Sequence, residues 1–229
     1  MHVPDGFLDA PTSVATGAVA AIAVGVALRK AKGELDDRTA PLAGLVAAFV
    51  FAAQMINFPV GAGTSGHLMG GALAAVLVGP WTAVLCLSTV LLVQGLLMAD
   101  GGLTALGTNI VLIGLVTTAV GWGVFALLRA VLPKRIGVVA PVAAVAAYLS
   151  VPAAALVFTG LFAVGGTAPV ENGAVLTAML GWHLVIGLGE AAVTFVVVGA
   201  VVAARPDLVH GARGLRRPSR ATAAEEVTA

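Results

Sequence analysis

The chain has 229 residues, of which 59% are hydrophobic and only 10% charged, with a mean hydropathy of +1.05 and a formal net charge of +1. A water-soluble domain carries about a quarter charged residues, so this composition excludes an ordinary soluble enzyme, and the near-neutral charge gives no case for nucleic acid as a partner. The single cysteine, Cys86, excludes a disulfide framework.

The opening segment, Met1-His2-Val3-Pro4-Asp5-Gly6-Phe7-Leu8-Asp9, has no basic residue, and none occurs before Arg29. A secretory signal would begin with a basic region, so Met1 is expected to be the mature N-terminus, retained because His2 is large. Apolar runs follow at Thr12 to Leu28, Pro41 to Ile56, His67 to Val78, Trp81 to Met98, Thr108 to Leu128, Val138 to Val164 and Leu176 to Ala204. About 20 apolar residues cross a bilayer core of roughly 30 Å. The runs are continuous and rich in Ala and Leu, which favours helices over the short alternating segments of a membrane barrel. The expected fold is an all-α polytopic membrane bundle of seven helices.

Charge sets the expected orientation. With a helix break at Gly79-Pro80 and the N-terminus outside, the segments Arg29 to Arg38, Arg129 to Arg135 and Arg205 to Arg220 fall in the cytoplasm and hold all twelve Lys and Arg residues. Fusing the two runs across Gly79-Pro80 would divide the basic residues between the two sides. Residues 1–204 therefore read as an integral membrane domain. Residues 205–229, rich in Ala, Arg and Glu, read as a mobile cytoplasmic tail in which His210 has no metal role.

The third run is too short to cross, since twelve residues rise only about 18 Å. The segment Asn57 to Gly66 must then enter the membrane as irregular backbone, which requires protein or a wet cavity around it. This places His67 in an outward-facing cavity at a helix N-terminus, where the helix dipole favours the neutral imidazole. On the last helix His183 and Glu190 are two turns apart on one face and read as a buried polar pair. Gly17, Ala21 and Gly25 form a stripe of small residues on the first helix, suited to a partner helix or to packing within the chain.

Met1-His2 carries the chemistry. A free terminal amine, the His2 amide nitrogen and the His2 imidazole Nδ1 can close fused chelate rings on one ion, and Ni(II), Cu(II) or Co(II) accept such nitrogen donors where Mg(II) and Ca(II) do not. Pro4 has no N–H, so a side chain from elsewhere is needed as fourth ligand, and His67 is the candidate. Asp5, Asp9, Asp100 and Glu171 are the acids expected on the outer side, facing no basic residue there. They either attract cations or simply solvate the loops.

The segments Met1-His2-Val3-Pro4-Asp5-Gly6-Phe7-Leu8 and Gly63-Thr64-Ser65-Gly66-His67-Leu68-Met69-Gly70-Gly71 resemble the two signatures of the substrate-capturing membrane component of cobalt/nickel energy-coupling-factor transporters, the CbiM/NikM type. Asp100 to Asn109 and His183 to Glu190 look like further family segments, and the likeness extends over about Met1 to Ala204. It implies a seven-helix subunit that captures Co(II) or Ni(II) as transported substrate through the Met1 amine, the His2 amide, the His2 imidazole and His67. It also implies two cytoplasmic ATPases, a transmembrane coupling subunit and a small accessory membrane protein as partners, with no resident cofactor. Consistent with a motor on another chain, no phosphate-binding Gly-x-x-x-x-Gly-Lys-Ser/Thr loop occurs. A self-sufficient secondary divalent-metal carrier or channel is the main alternative, but a carrier should show charged relay residues within several spans, and these are sparse here.

Overall fold

The computed structural model describes residues 2–56, 58–61 and 64–215. Seven helices form the bundle: α1 (Ala10–Lys30), α2 (Ala40–Gln54), α3 (Gly71–Val78), α4 (Pro80–Leu97), α5 (Leu106–Val131, with a π-helical stretch over Ile110–Val116), α6 (Val139–Gly165) and α7 (Asn172–Ala204). Five helical stretches, containing α1, α4, α5, α6 and α7, are long and apolar enough to cross a membrane, and α2 is a shorter apolar helix. The chain is a membrane helical bundle. Its outer surface confirms this, since Ile22, Leu97 and Val164 are 68%, 75% and 82% exposed where a soluble protein would place polar residues.

Local chemistry sets the helix ends. Asp9 accepts a hydrogen bond from the Thr12 amide at 2.9 Å and Pro11 occupies the first turn, so α1 starts there. At the other end of α1, the Glu34 carboxylate accepts from the Trp81 and Thr82 amides at 3.1 and 2.7 Å and from the Thr82 hydroxyl at 2.9 Å, capping α4. The break between α3 and α4 is real. Gly79 has φ +100°, and a Cβ there would lie 2.6 Å from the Glu34 carboxyl carbon, so only glycine makes this turn.

All eight residues of α3 are buried. It lies against α5 at van der Waals closeness because glycine faces its neighbour twice: a Cβ on Gly71 would sit 1.9 Å from Thr117 Oγ1, and one on Gly121 would sit 2.5 Å from the Ala72 Cβ. Small residues at helix contacts allow this approach in the absence of a hydrophobic drive between helices. In the α1 stripe, Gly17 receives Gly107 of α5, whose Cβ would come 2.4 Å from the Gly17 Cα, while Ala21 and Gly25 remain exposed.

Three expectations are corrected. The third helix begins at Gly71 and not at His67, so His67 lies in the irregular chain leading to that helix and not at a helix terminus. The segment before it is not irregular throughout but folds back as an antiparallel hairpin, β1 (Phe58–Gly61) with β2 (Thr64–Gly66). Finally, the chain does not leave the bundle at Arg205. Val209 is fully buried, Arg129 donates to the Gly211 carbonyl, Arg213 donates to the Glu34 carbonyl at 2.8 Å, and the His210 ring meets Trp122 edge-on at 5.3 Å. These contacts close the end of the bundle where α1, α3 and α5 finish. The rest of the expected tail, from Arg216 on, lies outside the described residues.

Candidate metal centre

The N-terminal arm runs inward over the opposite end of the bundle, tied at every step. The Asp9 amide donates to the Gly165 carbonyl at 2.7 Å, Leu8 bridges Gly166, and the Thr167 amide donates to the Phe7 carbonyl at 3.2 Å. The Phe7 ring rests on Phe158 and Phe162 of α6, with centroids 6.0 and 5.3 Å away. Gly6, at φ +72°, then turns the chain toward the interior.

Beyond the turn, the loop between α4 and α5 receives the arm as a cradle. The Val3 amide donates to Asn109 Oδ1 at 2.7 Å, and the Val3 carbonyl accepts from the Gly102 amide at 2.9 Å and from Asn109 Nδ2 at 3.2 Å. Asp5 accepts from the Thr104 amide at 2.7 Å and the Thr104 hydroxyl at 2.5 Å. The Thr104 hydroxyl first, then its amide, hold the Asp5 carboxyl below its ordinary value. Gly102 permits this closeness, since a Cβ there would meet the Asp5 nitrogen at 2.3 Å. Asn109 is followed at once by the π-helical stretch of α5, a geometry that often marks functional sites.

This threading buries His2, leaving it 6% exposed, and stacks its ring on that of His67, with centroids 4.4 Å apart and planes 25° from parallel. His2 Nδ1 lies 3.0 Å from Asp100 Oδ1, close enough for an ion pair but not aligned as a hydrogen bond. His2 Nε2 is buried without a hydrogen-bond partner among the described residues. His67 is fully buried and its Nδ1 is 2.7 Å from the Leu68 carbonyl oxygen. A carbonyl only accepts, so Nδ1 carries the proton and Nε2 of the neutral ring keeps a lone pair, the arrangement that prepares histidine as a metal ligand.

Two of the three expected site residues, His2 and His67, thus meet, while Met1 lies outside the described residues. Among the described residues no group of three or more His, Cys, Asp or Glu side chains could hold a metal ion. An ion held by His2 and His67 would take its remaining ligands from groups other than such a side-chain cluster. His183 and Glu190 do not pair with each other: His183 Nδ1 donates to the Met179 carbonyl at 2.6 Å, whereas Glu190 accepts from the Met69 and Gly70 amides. Asp100, Gly102 and Asn109 were not assigned to the site from sequence, although the segment containing them stood out. The arm, the α4–α5 loop and the α6–α7 connection carry Asp5, Asp9, Asp100 and Glu171 and no Lys or Arg.

The family profile described as "Cobalt uptake substrate-specific transmembrane region" matches residues 2–208. The chain belongs to the CbiM family. A candidate metal transport protein of Haloquadratum walsbyi is 41% identical over 91% of this chain and 93% of its own length. A cobalt transport protein CbiM of Sorangium cellulosum is 34% identical over 91% and 94%. The fused nickel transport protein NikMN of Rhodobacter capsulatus is 36% identical over 96% of this chain and 67% of its own length. A crystal structure of a truncated transition metal transporter superposes with a TM-score of 0.81 at 30% identity, covering 89% of this chain and 99% of that one. As a CbiM-family protein the chain is a membrane transporter component and not a catalytic enzyme. The arm, the cradle and His67 all lie within the span that defines the family.

Proposed function

We propose that this chain is the substrate-capturing subunit of an ATP-driven Co(II)/Ni(II) uptake transporter, with its N-terminus and metal site on the outer side of the membrane and its C-terminus in the cytoplasm. The observation that carries the reading is the burial of His2 against His67 by the N-terminal arm; in this reading the terminal amine joins the two rings in one chelate. The acidic end draws in a divalent cation. The Met1 amine, the His2 amide, His2 Nδ1 and His67 Nε2 then replace its water, with His2 Nδ1 exchanging its contact with Asp100 for the ion. Four nitrogens suit Ni(II) and Co(II) and reject Mg(II) and Ca(II), which keep oxygen ligands.

The chain has no phosphate loop of its own, so in an ATP-driven cycle the motor is another chain, and this reading assigns it to cytoplasmic ATPases acting through a transmembrane coupling subunit. The fused relative of Rhodobacter capsulatus extends beyond the part matched here, which supports a small accessory membrane protein as a further partner. The test is uptake of Ni(II) and Co(II) by cells expressing the chain alone or together with its ATPases and coupling subunit. ATP-dependent uptake only in the complete set is expected. Equal uptake by the chain alone would make it a self-sufficient carrier.

A further inference from the structure

We infer that Glu190 of α7 is a positioning residue for His67, holding through Met69 and Gly70 the short stretch of backbone that presents the imidazole. The inference rests on the reading of His67 as a metal ligand.

Glu190 is 1% exposed, and its two carboxylate oxygens accept from the Gly70 and Met69 amides, each at 2.6 Å. A carboxylate is costly to bury unless its lone pairs are used, and charge-assisted bonds to backbone N–H groups are short and strong. The carbonyl of Met69 is held from the other side, since the fully buried Gln54 of α2 donates Nε2 to it at 2.9 Å. Gly70 has φ +83°, and a Cβ there would stand 2.9 Å from both methyl groups of Val50, so the chain has no room to shift toward α2. His67 is joined to this fixed stretch through Leu68, whose carbonyl accepts from its Nδ1 at 2.7 Å. Two helices distant in sequence therefore converge on Met69 and Gly70, and the imidazole is oriented by the chain they immobilise.

A helix-cap role alone would leave the metal environment unchanged, and this separates the two readings. Glu190→Gln keeps the size but turns an NH₂ group toward an N–H donor, so one of the two bonds is lost. The experiment uses the full chain with its native N-terminus, purified as wild type, Glu190→Gln, His67→Ala and the double variant, titrated with Ni(II) while the visible absorption of bound Ni(II) is recorded. Outer partners of metal ligands are worth about 10- to 100-fold in affinity. Glu190→Gln is expected to weaken binding by about that factor and to shift the Ni(II) absorption, with no further loss when it is added to His67→Ala. Wild-type affinity and absorption in Glu190→Gln would overturn the inference, as would an equal loss in the His67→Ala background, which would mean an effect on the bundle at large. Unchanged binding in His67→Ala would remove the ligand reading itself and this inference with it. Should Glu190→Gln fail to fold, Gln54→Met removes the donor to Met69 from the other helix and carries the same expectation and the same refutations.

Discussion

The His2 and His67 imidazoles stack with centroids 4.4 Å apart, although α1, α2 and the β-hairpin separate them along the chain. Two rings that share one ion lose it together. His2→Ala or His67→Ala alone is expected to weaken Ni(II) binding by more than about 100-fold, since even groups that only orient metal ligands reach that size. The double variant should then lose far less than the product of the two single losses, because contacting residues of one site are not additive. Isothermal titration of the three variants checks this, and full additivity would mean that the rings bind separate ions.

The arm is held by contacts that tolerate no added atom. A Cβ on Gly102 would press to 2.3 Å from the Asp5 nitrogen and 2.7 Å from the Pro4 carbonyl carbon. These two atoms form one peptide bond of the arm, which cannot rotate away as a side chain could, so Gly102→Ala should lift the arm from its cradle and weaken Ni(II) binding by roughly tenfold or more while the bundle stays folded. Gly123→Ala is the control, since no atom lies within 4 Å of its Cβ position. Its affinity should match wild type.

The pH response should come from the ligands and not from the arm. A free terminal amine has a reference pKa near 7.7 and must be unprotonated to bind, so affinity should fall as pH drops from about 8 to 6. The Asp5 anchor behaves differently. Its carboxyl is held below 3.8 by Thr104, so the stabilisation it adds is fully present above 3.8 and is lost only as pH falls through the lower folded value. Protease sensitivity of the arm should thus stay constant between pH 8 and pH 5 while metal affinity drops, and parallel changes in both would assign the pH effect to arm release.

The helices were legible because lipid-facing and buried positions are both apolar in a membrane bundle, so runs of Ala, Val and Leu mark them without any need for amphipathic periodicity. The same property hid where α3 begins. His67-Leu68-Met69-Gly70 reads as helix by composition, but the buried carboxylate of Glu190 takes the Met69 and Gly70 amides and Gly70 turns with φ +83°, so the helix starts only at Gly71. A partner that far along the chain leaves no local trace. The proposed chelate could be named from the sequence because its donors adjoin there, whereas the contacts of Asp100, Gly102 and Asn109 with the arm depend on how the arm is threaded. Asn109 shows this most clearly, since its pairing with Val3 is a contact between an arm and a helix start that no spacing rule connects. The segment after Arg205 looked solvated because it is charged, yet Arg129 and Arg213 spend their charge on the Gly211 and Glu34 carbonyls and draw that segment onto the bundle.

The proposed chelate depends on the free terminal amine as a ligand. The decisive measurement is a Ni(II) and Co(II) titration of the chain beginning with its own Met1, beside one carrying a single extra residue before it, at matched pH and folding. The extension turns the amine into an amide and spares both histidines. Tight binding by the authentic terminus, lost in the extended form, is the predicted result, and equal binding by both would contradict the account.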